Sequence, residues 1–336
     1  MTADDSWFDE IDLDPQRSSL AMGTRALGDR PWLVTDDCRG EELALKASLC
    51  AERHAEVFAA LDDTETAGAT VEAMVQLALV EAGVPTAPTA THRPAAAPTE
   101  PAKSGGLGRA EGPRSPDFTT TDQAWGGTSA SVGRDDELHP LDRAGRSTQE
   151  DLCLLRRRDD GWYLEAASLC FPSRWRLADK IGRHITEVHG PVHGYAEHLA
   201  SKIDLLFDRL TDRPVWRRNW FLYADPALFQ PSSPVDGDPI IEAARVLEDV
   251  VVRSERQTLR RLPDDDCGGR WVLFTIRVQQ APLAAFCGDV TDGGDRRLDA
   301  LDRYLDGADP GSLEHRGLTP GQVAEIRTAL AVASSP

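Results

Sequence analysis

The segment QEDLCLLRRRDDGWYLEAASLCF, residues 149–171, has the pattern of a β-hairpin. The apolar run within Asp151–Arg157 predicts one strand, and Trp162–Phe171 predicts the returning strand. Between them, Asp159-Asp160-Gly161 is a typical turn sequence, because aspartate and glycine accept the backbone angles of tight turns. The hairpin is therefore the first strand pair of a predicted antiparallel sheet.

The residues after this hairpin predict two helices and then more strands. Helical spacing of apolar side chains predicts helices at Trp175–Val188 and Tyr195–Leu210, and His189-Gly190-Pro191 between them prevents one continuous helix. Three further strands and three further helices follow: strands at Asn219–Tyr223, Arg256–Leu262 and Trp271–Gln279, and helices at Ile240–Val252, Asp295–Leu305 and Thr319–Val332. The predicted fold class is α+β, a five-stranded antiparallel sheet with helices packed on one face, plus additional N- and C-terminal helices.

The first 135 residues divide into two predicted regions. Residues 1–83 combine an acidic arm, Met1–Asp14, with helices at Glu41–Leu61 and Ala67–Ala82. Val84–Gly133 holds seven prolines and seven glycines, so it buries too little apolar surface to offset its ordering entropy. We therefore predict a disordered insertion over 84–135, a folded core over 136–290 and C-terminal helices over 291–336.

Composition limits the classes of partner. The net charge is −19 and the isoelectric point is near 4.8, which argues against nucleic-acid binding because phosphate contacts need a basic face. An acidic surface suits docking to a basic protein partner. No apolar run reaches the length of a membrane span, and the acidic N-terminus resembles neither a signal nor a transit peptide. A cytoplasmic location is the resulting expectation.

Common cofactor motifs are missing from the sequence. It contains no glycine-rich dinucleotide or P-loop pattern, no metalloprotease H-E-x-x-H and no G-x-S-x-G nucleophile elbow. The six cysteines form no C-x-x-C pair, so a zinc or iron–sulfur site of usual spacing is not expected. Nicotinamide, flavin and iron–sulfur chemistry would therefore have to come from another protein.

His189 is the most informative histidine, and its residue type allows several interpretations. At a predicted helix end it is either a C-terminal cap or a metal or haem ligand. His189, His193 and a carboxylate are an alternative non-haem iron set, although Pro191 breaks the helix that would align the two histidines. Cys170 is a rival axial ligand, since a thiolate binds haem iron, but a small buried side chain is the simpler explanation for it.

Arginines gather in the last predicted strands. Alternate residues of a strand share a face, so Arg256 and Thr258 point one way and Glu255 and Gln257 the other. An arginine facing a pocket suits bidentate recognition of carboxylates, whereas a surface arginine forms ordinary ion pairs.

Seven short motifs in order give the chain a family resemblance, which runs from about residue 20 to Arg277 and omits the insertion. The motifs are Gln149–Leu155, Cys170-Phe171-Pro172-Ser173-x-Trp175, Lys180-x-Gly182, His189-x-Pro191-Val192-x-x-Tyr195, Arg217-x-Asn219-Trp220, Arg253-x-Glu255-Arg256-Gln257-Thr258-Leu259-x-x-Leu262-Pro263 and Phe274-Thr275-Ile276-Arg277. Together they resemble the haem-dependent oxidative N-demethylase family.

The resemblance implies a PAS-like fold that binds haem b and activates O2 to oxidise a small secondary amine such as dimethylamine. The products would be a primary amine and formaldehyde. Electrons would come from NADPH through a separate reductase subunit that carries FMN and a [2Fe–2S] cluster. Such a division of labour agrees with the missing nucleotide and cysteine motifs.

The matching motifs also imply residue roles. His189 would be the proximal iron ligand, with its second ring nitrogen donating to a carbonyl or carboxylate. Further haem-binding candidates are Trp175, Lys180, Arg217, Trp220, Arg253, Arg256 and Phe274, the arginines being suited to the propionates. Candidates for the polar distal site are Glu255, Gln257, Thr275 and Arg277. His193 departs from the family pattern, which tends to have a second proline there, and so offers a competing ligand.

Two other classes of function compete with the enzyme. A haem-binding PAS domain can be a gas sensor or carrier without catalysis, and a third possibility is an interaction module that binds no haem. A sensor would need an output module, and none is visible in the sequence.

Overall fold

The computed structural model describes residues 5–15, 23–84, 137–188, 200–233, 238–263, 270–288 and 294–334. One open sheet runs through them. Its seven strands are β1 Arg25–Ala26, β2 Phe58–Ala60, β3 Asp151–Arg158, β4 Gly161–Ser168, β5 Val215–Tyr223, β6 Val251–Arg261 and β7 Trp271–Pro282. Their order is β1-β5-β6-β7-β3-β4-β2, and every described pair is antiparallel.

Eleven α-helices are described. They are α1 Arg39–Glu52, α2 His54–Val57, α3 Glu65–Glu81, α4 Pro140–Ser147, α5 Ile185–Val188, α6 Ala200–Arg209, α7 Ala243–Asp249, α8 Leu283–Cys287, α9 Gly294–Gly307, α10 Pro310–His315 and α11 Pro320–Ala333. Two 3₁₀ turns, Asp5–Glu10 and Leu177–Asp179, complete the list. None of the helices in the described ranges is long and apolar enough to cross a membrane.

The predicted α+β class is confirmed, and the number of strands was wrong. The five predicted strands correspond to β3–β7, which lie side by side in the sheet. The two additional strands, β1 and β2, are edge strands of two and three residues. They are too short to show the alternation of polar and apolar residues by which a strand is predicted.

Two predicted helices were wrong in extent. Between Trp175 and Val188 the chain forms only the 3₁₀ turn and the four-residue α5, and Gly182 separates them with φ +73°. Ile240–Val252 is helical only over α7, because Val251 already begins β6. In both places β-branched and apolar residues recur at helical spacing by chance. The turn at Gly182 and the sheet pairing that begins at Val251 determine the backbone conformation instead.

Other predictions agree more closely. The Ala67–Ala82 helix is α3, and the predicted Glu41–Leu61 helix is α1 followed by α2 and the edge strand β2. The closing helices are α9 and α11, and Thr319 and Gln322 form a capping box at the start of α11. The insertion, residues 84–135, falls outside the described residues except for Val84, as does the first part of Tyr195–Leu210.

Strand alternation gives the sheet two faces with different neighbours. Because paired residues share a face, the registers place Glu255, Gln257 and Phe274 on one side, which we call the front face. Arg256, Thr275 and Arg277, on the other side, define the back face. Helices cover both faces, so the prediction of helices on one face only was wrong.

The back face carries most of the core. Leu222 and Val252 pack there with apolar residues of the N-terminal arm and of α7, α8, α9 and α11. Leu154 and Leu273 pack there with α3 and α4. The N-terminal arm docks on this face through Trp7, Phe8 and Ile11, and all three side chains are buried. Front-face residues contact α1, α5 and α6 instead.

Candidate functional site

The centre of the front face carries a half-buried aromatic side chain, Phe274. Phe274 lies on β7, the middle strand of seven, yet it is only half-buried while its chain neighbours Leu273 and Thr275 are buried. Phe274 packs against three separate apolar clusters, which contain Ile276, Leu259 and Leu164 respectively. A partly exposed aromatic ring at the centre of a sheet offers an apolar surface that a flat apolar ligand could cover.

A chain of hydrogen bonds crosses the front face beside Phe274. Arg217 Nε donates to Gln257 Oε1 at 2.6 Å, and Gln257 Nε2 donates to Glu255 Oε2 at 2.7 Å. The Ser173 hydroxyl donates to Glu255 Oε1 at 2.5 Å. Pairing residues of β5 and β6 place these groups side by side, because Arg217 is the register partner of Gln257. The structure thus brings Arg217, Glu255 and Gln257 together.

Arg253 is fully buried and holds the loop that leads to Ser173. Its Nε donates to Ser173 Oγ at 2.9 Å, and its terminal nitrogens donate to carbonyls of two loops. The acceptors are Phe171 O at 2.9 Å, Pro172 O at 3.2 Å, Ala227 O at 3.2 Å and Leu228 O at 3.1 Å. Desolvation lowers the pKa of this guanidinium. Arg253 therefore has a structural role, because its nitrogens donate to Ser173 and to backbone carbonyls.

Trp175 and Lys180 lie near the same part of the front face as Phe274. Trp175 is half-buried and packs with the two clusters that flank Phe274 on the β4 side. The Lys180 ammonium lies 5.7 Å from the centroid of the Trp175 ring and donates to the Val188 carbonyl. Burial lowers the pKa of Lys180. Lys180 thus fixes the carbonyl of the residue immediately before His189.

His189 and its rival His193 lie outside the described residues, as does His198. The described elements on either side of this gap both pack on the front face. Ile185 of α5 and Phe207 of α6 belong to one cluster with Trp162 and Leu259. Val188, the last described residue before the gap, also packs against this front-face cluster.

Four other predicted site residues lie on the back face. Arg256 donates to the carbonyls of Pro31, at 2.6 Å, and Trp32, at 3.2 Å. Thr275 bonds Thr258 at 2.6 Å between their hydroxyls, and the Trp220 indole donates to Asp12 O at 3.0 Å. Arg277 binds Asp36 at 2.6 Å and Glu42 at 2.8 Å. The sheet separates these groups from Glu255 and Gln257.

One group in the described ranges has the composition of a metal site. Ligand atoms of Asp36, Cys38 and Glu42 all lie within 4.8 Å of one another. Arg277 already pairs with both carboxylates, and Gln149 Nε2 donates to each at 2.8 Å. A guanidinium in this position takes the place that a cation would need.

Cys170, the rival axial ligand, is engaged by protein groups. Its backbone N–H donates to Asp151 Oδ1 at 2.8 Å, and the side chain is buried. The contact with Cys50 and burial raise the pKa of Cys170. A thiolate ligand is therefore disfavoured at this position.

His315 is a site residue that sequence reasoning missed. It ends α10, where the C-terminal segment covers the edge of β5: Leu222 N donates to Arg316 O at 3.1 Å. Its ring centroid lies 5.9 Å from that of Phe221, a front-face residue, and the positive charge of Arg217 lowers its pKa. Burial, with Arg316 and Arg217 nearby, lowers the pKa of His315 to about 4. A lone histidine in a six-residue helix carries no sequence signal for this position.

The lowered pKa of His315 makes a prediction for stability against pH. Above the unfolded pKa of about 6.5 the imidazole is neutral in both states and contributes nothing. Below about pH 6.5 the imidazole is protonated in the unfolded chain, whereas in the folded chain it stays neutral down to about pH 4. The free energy of unfolding should therefore fall by about 2 to 3 kcal/mol more between pH 6.5 and 4 in the wild type than in His315→Gln. Urea unfolding across this pH range measures it, and parallel curves for the two proteins would disprove it.

The fold and its front face together define an α+β protein whose central sheet carries a candidate ligand-binding surface, bordered by Arg253 and Glu255. Residues 114–312 match the family model described as haem-dependent oxidative N-demethylase, alpha subunit-like, and the chain belongs to this family. The resemblance identified from the seven motifs is thereby confirmed. The match begins within the predicted insertion and extends past Arg277 to Ser312, within α10. No curated protein matches the chain significantly.

The family description carries three coarse statements about this chain. It is a haem-dependent protein, it is oxidoreductase-like, and an alpha subunit implies at least one partner subunit.

Proposed function

We propose that the protein is a haem-dependent monooxygenase that oxidatively N-demethylates a small, dimethylamine-like secondary amine to a primary amine and formaldehyde. Haem b would lie on the front face of a PAS-like core formed by β3–β7, in a cytoplasmic protein. NADPH electrons would arrive through a separate subunit with FMN and a [2Fe–2S] cluster. The half-buried Phe274, at the centre of the front face in a chain of this family, is the observation that carries the proposal.

The front-face residues fit haem in three respects. Phe274, Trp175 and the apolar clusters around them suit the flat hydrocarbon surface of a macrocycle. Arg217 and Lys180 are half-buried cations near its border and suit propionate carboxylates. His189 follows directly after Val188, whose carbonyl Lys180 holds. When bound, haem iron supplies the chemistry of O2 activation.

The remaining polar groups suit an amine substrate. The Glu255 carboxylate is buried and oriented by Ser173 and Gln257. An ammonium substrate would bind there, and Glu255 Oε2 could take the proton that must leave before nitrogen can be oxidised. Gln257 links this carboxylate to Arg217, so one hydrogen-bonded chain would hold both the substrate and the cofactor.

Haem titration and formaldehyde release test the proposal. Purified protein supplied with haem b should show a Soret band, and with NADPH and a surrogate flavin and iron–sulfur reductase it should release formaldehyde from dimethylamine. A Soret band without formaldehyde from any of a panel of secondary amines would favour the sensor or carrier. A missing Soret band would disprove haem binding and with it both of these functions.

Two variants on opposite faces test where the chemistry occurs. Glu255→Gln keeps the shape of the side chain and removes its charge, so kcat/KM should fall about a hundredfold. Thr275→Val removes the hydroxyl bond to Thr258 on the back face, so it should cost about 1 kcal/mol of stability and leave kcat/KM within about twofold. Equal losses of activity in both variants would contradict a front-face site.

A further inference from the structure

Lys46 and Asp151 form a buried ion pair that the proposed chemistry does not use. Asp151 begins β3 and Lys46 lies on α1, and both side chains are buried. Lys46 Nζ lies 3.6 Å from Asp151 Oδ1 and donates to the carbonyls of Glu150, at 2.5 Å, and Gly145, at 3.3 Å. Burial raises the pKa of Asp151, and the charge of Lys46 opposes this rise. Because the cost of burying both charges offsets much of their attraction, the pair is weak evidence for stability.

Asp151 also fixes the backbone that leads to Ser173. Its Oδ1 accepts from the Cys170 N–H at 2.8 Å, and its Oδ2 accepts from the Phe171 N–H at 2.9 Å. Residue 172 is a proline and has no N–H, so Asp151 accepts both N–H groups of segment 170–172. The carbonyls of residues 171 and 172 accept from the buried Arg253. The carboxylate and the guanidinium therefore hold both kinds of backbone group in this segment, immediately before Ser173.

Asp151 lies too far from β6 to contact Glu255 or Gln257. The strand registers place Asp151, Ile276 and Gln257 in one row across β3, β7 and β6 on the front face. Neighbouring strands are about 4.8 Å apart, so the Asp151 backbone is about 10 Å from β6. Side chains stand roughly perpendicular to a sheet, so they do not close this gap. The hydrogen-bonded connection is the segment that Asp151 holds, because Ser173 at its end donates to Glu255 Oε1 at 2.5 Å.

We propose that Asp151 is a positioning residue of the amine site, which holds segment 170–172 so that the Ser173 hydroxyl reaches Glu255. The inference rests on the proposed function, because it takes Glu255 as the carboxylate that binds the amine. It gives a shared role to three of the seven sequence motifs, which contribute Asp151, Ser173 and the pair Arg253 and Glu255. Loss of the Asp151 carboxylate would release the segment, misplace Ser173 and leave Glu255 with Gln257 as its remaining orienting donor.

Hydrogen exchange tests the first link without any catalytic activity. Asp151→Asn keeps the size of the side chain but presents an NH2 group to one of the two N–H donors, so one hydrogen bond is lost. Mass spectrometry of the full chain should then show the amides of a peptide covering residues 169–175 exchanging about tenfold faster than in the wild type.

Asp142→Asn is the matched control for a general loss of stability. Asp142 is also buried, but it accepts from Arg146 Nε at 2.9 Å and lies 2.7 Å from His54 Nε2. This variant should leave the exchange of the 169–175 peptide within about twofold of the wild type. No acceleration in Asp151→Asn, or the same acceleration in both variants, would overturn the proposal.

Lys46→Gln tests the same link if Asp151→Asn fails to fold. Glutamine can still donate to the Glu150 carbonyl, but it removes the charge opposite the carboxylate. The bonds from both N–H groups to Asp151 should weaken, and the same peptide should exchange about threefold faster. Exchange at the wild-type rate would contradict the proposal.

A double-mutant cycle tests whether Asp151 acts through Ser173. In the haem-loaded full chain with a surrogate reductase and dimethylamine, Asp151→Asn should lower kcat/KM about tenfold, but less than about twofold when Ser173→Ala is already present. A merely structural residue would give the same factor in both backgrounds. That result in an active wild type would overturn this inference alone, whereas a wild type that releases no formaldehyde would overturn the proposed function and this inference with it.

Discussion

Arg253→Met should lower the free energy of unfolding by about 4 kcal/mol, within the range found when one partner of a buried charged network is removed. The guanidinium is fully buried and donates to Ser173 Oγ and to the carbonyls of Phe171, Pro172, Ala227 and Leu228. Methionine fills a similar volume, so the loss comes from buried acceptors left without donors. Urea unfolding followed by circular dichroism measures the change.

The chain offers a matched control for this substitution. Arg245 on α7 is 69% exposed and pairs only with Asp249 one helical turn away, so Arg245→Met should cost less than about 0.5 kcal/mol. Arg253→Lys keeps the charge but cannot reach two loops with one ammonium, and should fall between the two. A loss below about 1 kcal/mol for Arg253→Met would show that the two loops do not depend on this side chain.

Periodic and turn-bounded segments of the fold could be predicted from the sequence. The hairpin of β3 and β4 was predicted within three residues at each end, because a turn sequence separates two apolar runs. The capping box at Thr319 fixed the start of α11 for the same local reason. By contrast, α5 and the edge strands β1 and β2 depend on contacts with distant residues, and nothing in their own few residues specifies them.

The candidate site shows the same division. Alternation along β6 correctly separated Glu255 and Gln257 from Arg256, because it depends only on strand geometry. Thr275 and Arg277 were predicted to lie beside Glu255. Which face they occupy depends on the register between β6 and β7, which sets Thr275 opposite Thr258 and Arg277 opposite Arg256. The position of His315 beside Phe221 depends on how the C-terminal segment folds back along β5, and no local pattern encodes it.

The same registers change which haem-binding predictions we carry forward. Arg217, Trp175 and Lys180 are half-buried and lie on the front-face side of the sheet, whereas Arg253 donates to backbone carbonyls and Arg256 donates to the loop at Pro31. Propionate binding should therefore depend on Arg217 and Lys180. The role left for Arg253 is to position Ser173 and, through it, Glu255.

His189→Ala should reduce haem affinity about a hundredfold or more and abolish formaldehyde release. Loss of a residue that merely orients a metal ligand costs 10- to about 100-fold, so loss of the ligand itself should exceed this. The prediction rests on the front-face packing of Ile185 and Phe207 on either side of segment 189–199 and on the Lys180 bond to the Val188 carbonyl. Titration of apoprotein with haem, read at the Soret band, measures the affinity.

Three matched variants and one rescue identify the ligand. His193→Ala and His198→Ala should keep the Soret band and its position, and Cys170→Ser should do the same because Cys170 is buried and its raised pKa disfavours a thiolate. Added imidazole should restore the wild-type spectrum to His189→Ala, since the same type of nitrogen would then reach the iron. If His193→Ala loses haem while His189→Ala retains it, the residue that departs from the family pattern is the ligand. The proposed function would survive that result, but the role of Lys180 in fixing the proximal histidine would not.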